Sequence, residues 1–196
     1  MHSAQHNQKE VTHQMKAEKE PSKNSLRDEV ISYIKMIIFV VAVVSVVNGV
    51  ILINAKIPSS SMENTIMVND RIFGNRLAYR VKDPERFDII IFNFPDDESK
   101  KYIKRIIGMP GETVLIVDGK VYIDGSSEPL PDSFCPEDPV GSFGPYEVPE
   151  GCYFVMGDNR NNSNDSRFWQ NSFVSREEIL GEAMVRYWPL DKIGRL

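Results

Sequence analysis

From Met36 to Ile53 the chain carries no charged residue and is interrupted only by Ser45, Asn48 and Gly49. A run this long and this apolar either crosses a bilayer as a helix or is buried on every side. Ile31, Tyr33 and Ile34 extend it across Lys35, so the span is read as 31–53. A helix satisfies all of its backbone N–H and C=O groups internally, which is the condition for crossing hydrocarbon. A long polar stretch comes first, whereas a cleavable secretory leader starts early and has a shorter apolar core. A membrane anchor is therefore preferred over its two alternatives, a cleaved leader and a buried core helix. Lys16, Lys19, Lys23, Arg27 and Lys35 precede the uncharged run from Met36, and only Lys56 and Arg71 follow it closely. By the bias of basic residues toward the cytoplasm, the N-terminus is expected inside and the C-terminal part outside.

Residues 1–30 are rich in Gln, Lys, Glu, His, Asn and Ser, and read as a disordered cytoplasmic tail. Residues 54–196 read as one extracytoplasmic domain, and the 41% apolar content of the chain as a whole supports a real core. The net charge of −5 gives no basic footprint for a nucleic-acid partner. "FDIIIFNF" (87–94) predicts a strand buried on both sides, and "KYIKRIIG" (101–108) predicts another, closed by Gly108, Pro110 and Gly111. "TVLIVDGKVYIDG" predicts a hairpin, since Asp118-Gly119 tolerates the positive φ angles of a tight turn. Residues 125–150 are rich in proline and lack periodicity, so they read as a loop or insertion with one edge strand. "CYFVMGD" and "EAMVRYWPL" predict further strands, and "SREEILG" a short turn of helix capped by Ser175 and Glu178. The domain is thus mainly β.

The serine triplet in "IPSSSMENT" (57–65) lies just beyond the span and raises the question of a nucleophile and its base. The chain has 3 histidines, His2, His6 and His13, all in the predicted tail across the membrane. On that topology a Ser-His-Asp triad, a Cys-His site and most zinc sites are excluded outside. A carboxylate is weakly basic, and a free lysine is neutral in only about one molecule in a few thousand at pH 7. Burial among apolar groups can lower a lysine pKa by roughly 3 to 5 units. In "YIKRII", Lys104 shares a strand face with Tyr102 and Ile106, which makes it the candidate; a solvated lysine on an edge strand fits the same pattern.

The loop "GDNRNNSNDSR" (157–167) has no apolar side chain and admits three readings. It is a plain solvated loop, a calcium loop whose spacing does not match an EF-hand, or a hydrogen-bonded cage around a buried polar group. Cys135 and Cys152 both fall in the outside part, where a disulfide and two free thiols are equally compatible with the sequence.

Taken in order after one span, "IPSSSMENT", "RFDIIIF", "YIKRIIGMPGE" and "GDNRNNSNDSR" resemble the sequence boxes of the bacterial type I signal peptidases, membrane-bound serine proteases. The resemblance covers residues from about 30 to the C-terminus. It implies a transmembrane helix followed by an antiparallel β-sheet catalytic domain of signal-peptidase type. It implies Ser61 as nucleophile, Lys104 as general base, and an oxyanion hole made by the Ser59 hydroxyl and the Ser61 amide. Ser163 would orient the lysine amine, Asp165 and Arg167 would form a supporting ion pair, and Ile57 and Met62 are candidates for the substrate pockets. The implied substrates are exported preproteins with small residues at −1 and −3, cleaved at the cell membrane against lipid, with no metal or organic cofactor. Three residues depart from the pattern: Ser60 stands where Gly is frequent, Asn64 where Pro is common, and Phe87 where a Gly usually precedes the Asp. A specialised processing peptidase with one dedicated substrate, and a membrane-anchored β-domain that binds without catalysis, are the competing readings.

Overall fold

The computed structural model describes residues 23–196. Helix α1 (Lys23–Val46) contains neither proline nor glycine and runs on through a π-helical turn, Val47–Ile51. Leu26–Ile51 is long and apolar enough to cross a membrane, and its apolar side chains are exposed on all sides. The chain divides into two compact units, one ending at Ser45 and the other beginning at Val46.

Two boundaries differ from the sequence expectation. Helix begins at Lys23, within the stretch expected to be an unstructured tail to residue 30; the rest of that tail, with its three histidines, lies outside the described residues. The helical run ends at Ile51, not at residue 53. Leu52 and Ile53 belong instead to strand β1 (Leu52–Lys56), where they face Asn75 and Gly74 across an antiparallel ladder. Ile53 is buried in the sheet domain's core, an outcome that hydropathy cannot separate from continued helix.

The sheet domain is antiparallel throughout. Its further strands are β2 (Arg71–Asn75), β3 (Ile89–Phe94), β4 (Asp97–Gly108), β5 (Thr113–Val117), β6 (Lys120–Ile123), β7 (Phe143–Glu147), β8 (Cys152–Met156), β9 (Val174–Ser175), β10 (Ile179–Trp188) and β11 (Gly194–Arg195). The large sheet runs β1-β2-β10-β3-β4-β8-β9, with β11 added to β10, and the small one runs β6-β5-β7. Register shifts in the β10 pairings, and between Ile106 and Gly108 in the β4 to β8 pairing, bend the large sheet.

Strand β3 shows why "DIIIF" is almost unbroken. Ile89 and Ile91 enter one core cluster with Ile57, Met62 and Ile72, while Ile90 and Phe92 enter another with Ile106, Val155 and Trp169. Side chains alternate across the pleat, so both faces of the strand are covered. A third cluster joins the sheets, with Ile107, Phe154 and Met156 packed against Val114, Ile116 and Val121. The hairpin between β5 and β6 turns on Asp118 (φ 49°) and Gly119 (φ 79°), the paired positive φ values of a tight two-residue turn. Within 125–150, β7 pairs with β5 as an edge strand, and the rest is irregular. Ser175 N–H donates to Glu178 Oε2 (2.7 Å), capping a single turn of 3-10 helix, Arg176–Glu178. Cys135 and Cys152 are half-buried free thiols.

Candidate active site

Lys104 lies in β4, between β3 and β8, directly across from Ile90. Only 4% of it is exposed. Burial is the main influence on its amine and lowers its pKa to about 8; Asp165 and Asp158 oppose the shift and Arg167 adds to it. Its Nζ lies 2.5 Å from Ser61 Oγ. As an ammonium the lysine donates in this contact; as a neutral amine it accepts the hydroxyl proton.

Ser61 is held from several directions. It begins the turn that follows β1, and its neighbour Met62 is fully buried in the core. The Ile66 N–H donates to Met62 O (2.7 Å), and the turn closes where Asn69 N–H donates to Ile57 O (2.8 Å). Asp70 accepts from Met67 N–H (2.9 Å) and from Arg186 Nη1 (3.1 Å), which ties the turn to β10. The 157–167 loop grips the other side: Asn159 N–H donates to Ser61 O (3.1 Å) and Asn159 Nδ2 to Ser60 O (3.2 Å). Asn162 Nδ2 reaches Ser60 Oγ (3.0 Å). Ser59 Oγ stands 3.4 Å from Ser61 Oγ.

The loop itself is built on buried charge. Asp158 is fully buried and accepts from Arg105 Nε (2.8 Å) and Nη2 (2.6 Å) and from Thr65 Oγ1 (2.5 Å). Asp165, also fully buried, accepts from Arg167 Nε (2.8 Å) and Nη2 (2.9 Å) and from Gly157 N–H (2.9 Å). Such carboxylates are tolerated only because each is paired and hydrogen-bonded. Gly157 permits the closest approach in the site, for a Cβ there would collide with Ser163 Oγ and the Ser61 carbonyl oxygen. Ser163 is buried, and its hydroxyl has no hydrogen-bond partner among the described residues.

Ser59, Ser60, Ser61, Tyr102, Lys104 and Asn162 line a cleft of about 450 Å³. A second cleft of about 350 Å³ adjoins it, sharing Pro58, Tyr102 and Ile103 and running along β1, an end strand of the large sheet. Ile57 lines that second cleft. Met62 lies in the core and lines neither. A hydroxyl bonded to an amine of lowered pKa, at the mouth of an open groove, has the geometry for acyl transfer.

Of the expected site residues, Ser59, Ser61 and Lys104 line one cleft, whereas Ser163, Asp165 and Arg167 are buried in the 157–167 loop and do not line it, and the Ser163 hydroxyl makes no bond to the lysine. Four residues that sequence reasoning did not select complete the surroundings: Arg105, Asp158, Thr65 and Asn159. The signal for two of them was an arginine flanked by Ile103 and Ile107, since a buried guanidinium requires a carboxylate. Which carboxylate answers it is decided by a contact spanning 53 residues.

Residues 30–188 match the family model described as signal peptidase, peptidase S26. The chain is 46% identical over 145 residues to a probable signal peptidase I-2 of Synechocystis sp., a match covering 71% of this chain and 65% of that protein. It is 35% identical over 192 residues to signal peptidase I of Bacillus amyloliquefaciens, covering 92% of this chain and 99% of that one. Among solved structures, a signal peptidase I from Enterococcus faecalis is 37% identical and superposes with a TM-score of 0.44, covering 52% of this chain and 97% of that one.

Proposed function

Because the chain belongs to the signal peptidase family, peptidase S26, it is a peptidase that cleaves signal peptides, and we propose that Ser61 is its nucleophile and Lys104 its general base. The observation that carries this assignment is the 2.5 Å contact between the Ser61 hydroxyl and a buried lysine amine. Neutral Lys104 takes the Ser61 proton as the oxygen attacks the scissile carbonyl. The Ser59 hydroxyl and the Ser61 N–H stabilise the oxyanion, each donor lowering the barrier by roughly 3 kcal/mol. Lys104 then returns the proton to the leaving amine, accepts one from the water that attacks the acyl-enzyme, and hands it to Ser61 Oγ as the ester bond breaks, which restores the neutral amine and the free hydroxyl. Lys104 carries each proton in this cycle, so the cycle uses no metal or organic cofactor.

Asp165 with Arg167 and Asp158 with Arg105 keep the surrounding loop in place, and Ser163 orients the amine once substrate is bound. The preprotein lies extended beside β1 and adds to the sheet edge. Small residues at −1 and −3 suit a groove whose walls include Tyr102 and Ile103. Helix α1 serves as a single-pass anchor with its N-terminus in the cytoplasm, the basic residues before it setting the direction. The lipid tether raises the local concentration of substrates that carry their own apolar segment.

The test is cleavage of a preprotein with an Ala-x-Ala site by the full chain in detergent. Wild type cuts it, and Ser61→Ala and Lys104→Ala do not. Continued cutting by Ser61→Ala removes the nucleophile assignment, and undiminished cutting by Lys104→Ala removes the base. A wild type that cuts only one dedicated substrate favours a specialised processing enzyme.

A further inference from the structure

Two arginines stand behind the Ser61 and Lys104 pair, and the irregular segment between β6 and β7 contacts both. Arg105, the residue after Lys104, bonds to Asp158 and donates from Nη1 to Phe87 O (2.8 Å). Its guanidinium carbon lies 4.3 Å from the centre of the Phe134 ring. Arg160, inside the 157–167 loop, donates from Nε to Gly157 O (3.2 Å), and its guanidinium carbon lies 5.6 Å from the same ring. Phe134 is thus contacted by both cations, in the distance range where an aromatic ring attracts them.

Asp132 completes the pairing of the arginines. The loop and β4 supply three largely buried guanidinium groups, those of Arg105, Arg160 and Arg167, but only two carboxylates that pair with them, Asp158 and Asp165. Asp132 Oδ1 accepts from Arg160 Nη2 at 2.9 Å, and the Arg160 side chain is only 1% exposed. Without Asp132 that guanidinium is buried and uncompensated, a costly arrangement. The segment is also clipped to the loop by Asn161, whose Oδ1 accepts from Val140 N–H (3.0 Å) and whose Nδ2 donates to Asp138 O (3.1 Å).

Arg160 sits between the two residues that grip the nucleophile's segment, Asn159 on Ser61 O and Asn162 on Ser60 Oγ. We infer that Asp132 and Phe134 are positioning residues for the Ser61 and Lys104 pair, acting through Arg160 and Arg105. The segment between β6 and β7 is then part of the active-site support and not a passive insertion. This rests on the assignment of nucleophile and base made above.

The test compares full-length Asp132→Asn, Phe134→Leu and Phe134→Tyr in detergent, measuring kcat and KM on a signal-peptide substrate with Ala at −1 and −3. Amide hydrogen exchange at Asn159 and along β10 is read on the same proteins. Asp132→Asn and Phe134→Leu are expected to lower kcat at least fivefold with KM within twofold. They should also speed exchange at Asn159 at least tenfold while β10 keeps its rate, and Phe134→Tyr, which keeps the ring, should match wild type. A smaller loss of kcat, uniform acceleration across the domain, or equal loss in the Leu and Tyr variants overturns the inference. Exchange needs no substrate, so a wild type inert toward the peptide counts against the peptidase assignment and leaves the Asn159 amide to decide this one.

Discussion

Lys104 Nζ lies 2.5 Å from Ser61 Oγ although 43 residues of chain separate them, and burial lowers the lysine pKa to about 8. The neutral fraction at pH 7 rises from about one in a few thousand for a free lysine to about one in ten. Since only the neutral amine can take the serine proton, kcat/KM should climb roughly tenfold per pH unit below about 8 and level off above it. A pH-rate profile of the full chain checks this, and a flat profile between pH 6 and 9 contradicts it.

The same burial costs stability. With the amine at 10.5 unfolded and about 8 folded, the unfolded state binds more protons between those values, so stability rises with pH across that window. The penalty is complete below about 8, at about 3 kcal/mol, and has gone above about 10.5. Lys104→Met keeps the length and discards the charge. It should resist denaturant better than wild type at pH 6, by up to about 3 kcal/mol, with the advantage vanishing by pH 10.5. Denaturation midpoints of both proteins at the two pH values decide it.

Gly157→Ala adds a methyl where Ser163 Oγ and the Ser61 carbonyl oxygen already stand. The Ser61 carbonyl oxygen cannot yield without moving the nucleophile's backbone. A displacement of about 1 Å at a reacting group can cost on the order of a hundredfold in rate. Activity should therefore fall by about that factor, while overpacking lowers stability by about 1–3 kcal/mol. Turnover measured beside thermal melting separates the two effects.

Asn64 is exposed and holds φ at 82°. Proline, frequent there in the bacterial type I signal peptidases that this sequence resembles, fixes φ near −65° and cannot follow that path. Asn64→Pro should cost about 3 kcal/mol or more and disturb the turn three residues after Ser61. Asn64→Gly, free to adopt positive φ, should stay within about 1 kcal/mol of wild type. Thermal melting ranks the three proteins.

Local pattern carried much of the fold. The Asp118-Gly119 turn and the Ser175 to Glu178 cap depend on neighbours within a few residues, the double burial of β3 is written in its nearly unbroken apolar run, and each is present. The end of the apolar helix was less legible. Leu52 and Ile53 are as apolar as the residues before them, and only the ladder to Asn75 and Gly74 turns them into strand. The polar loop showed the same limit: its composition left three readings open, and in the structure its carboxylates engage Arg105 and Arg167 and leave the lysine amine unbonded by them.

By itself, the sequence determined a membrane-length helix, a β-rich domain beyond it, and a serine whose base must be something other than histidine if the predicted topology holds. Those conclusions follow from periodicity, turn chemistry and the placement of residue types along the chain. Only the tertiary structure decided which groups meet: Lys104 with Ser61, Arg105 with Asp158, and Arg160 with Asp132. The reason is physical. Burial and hydrogen bonding are set by strands brought together from distant parts of the chain, and the chemistry of a buried amine is a property of that assembly.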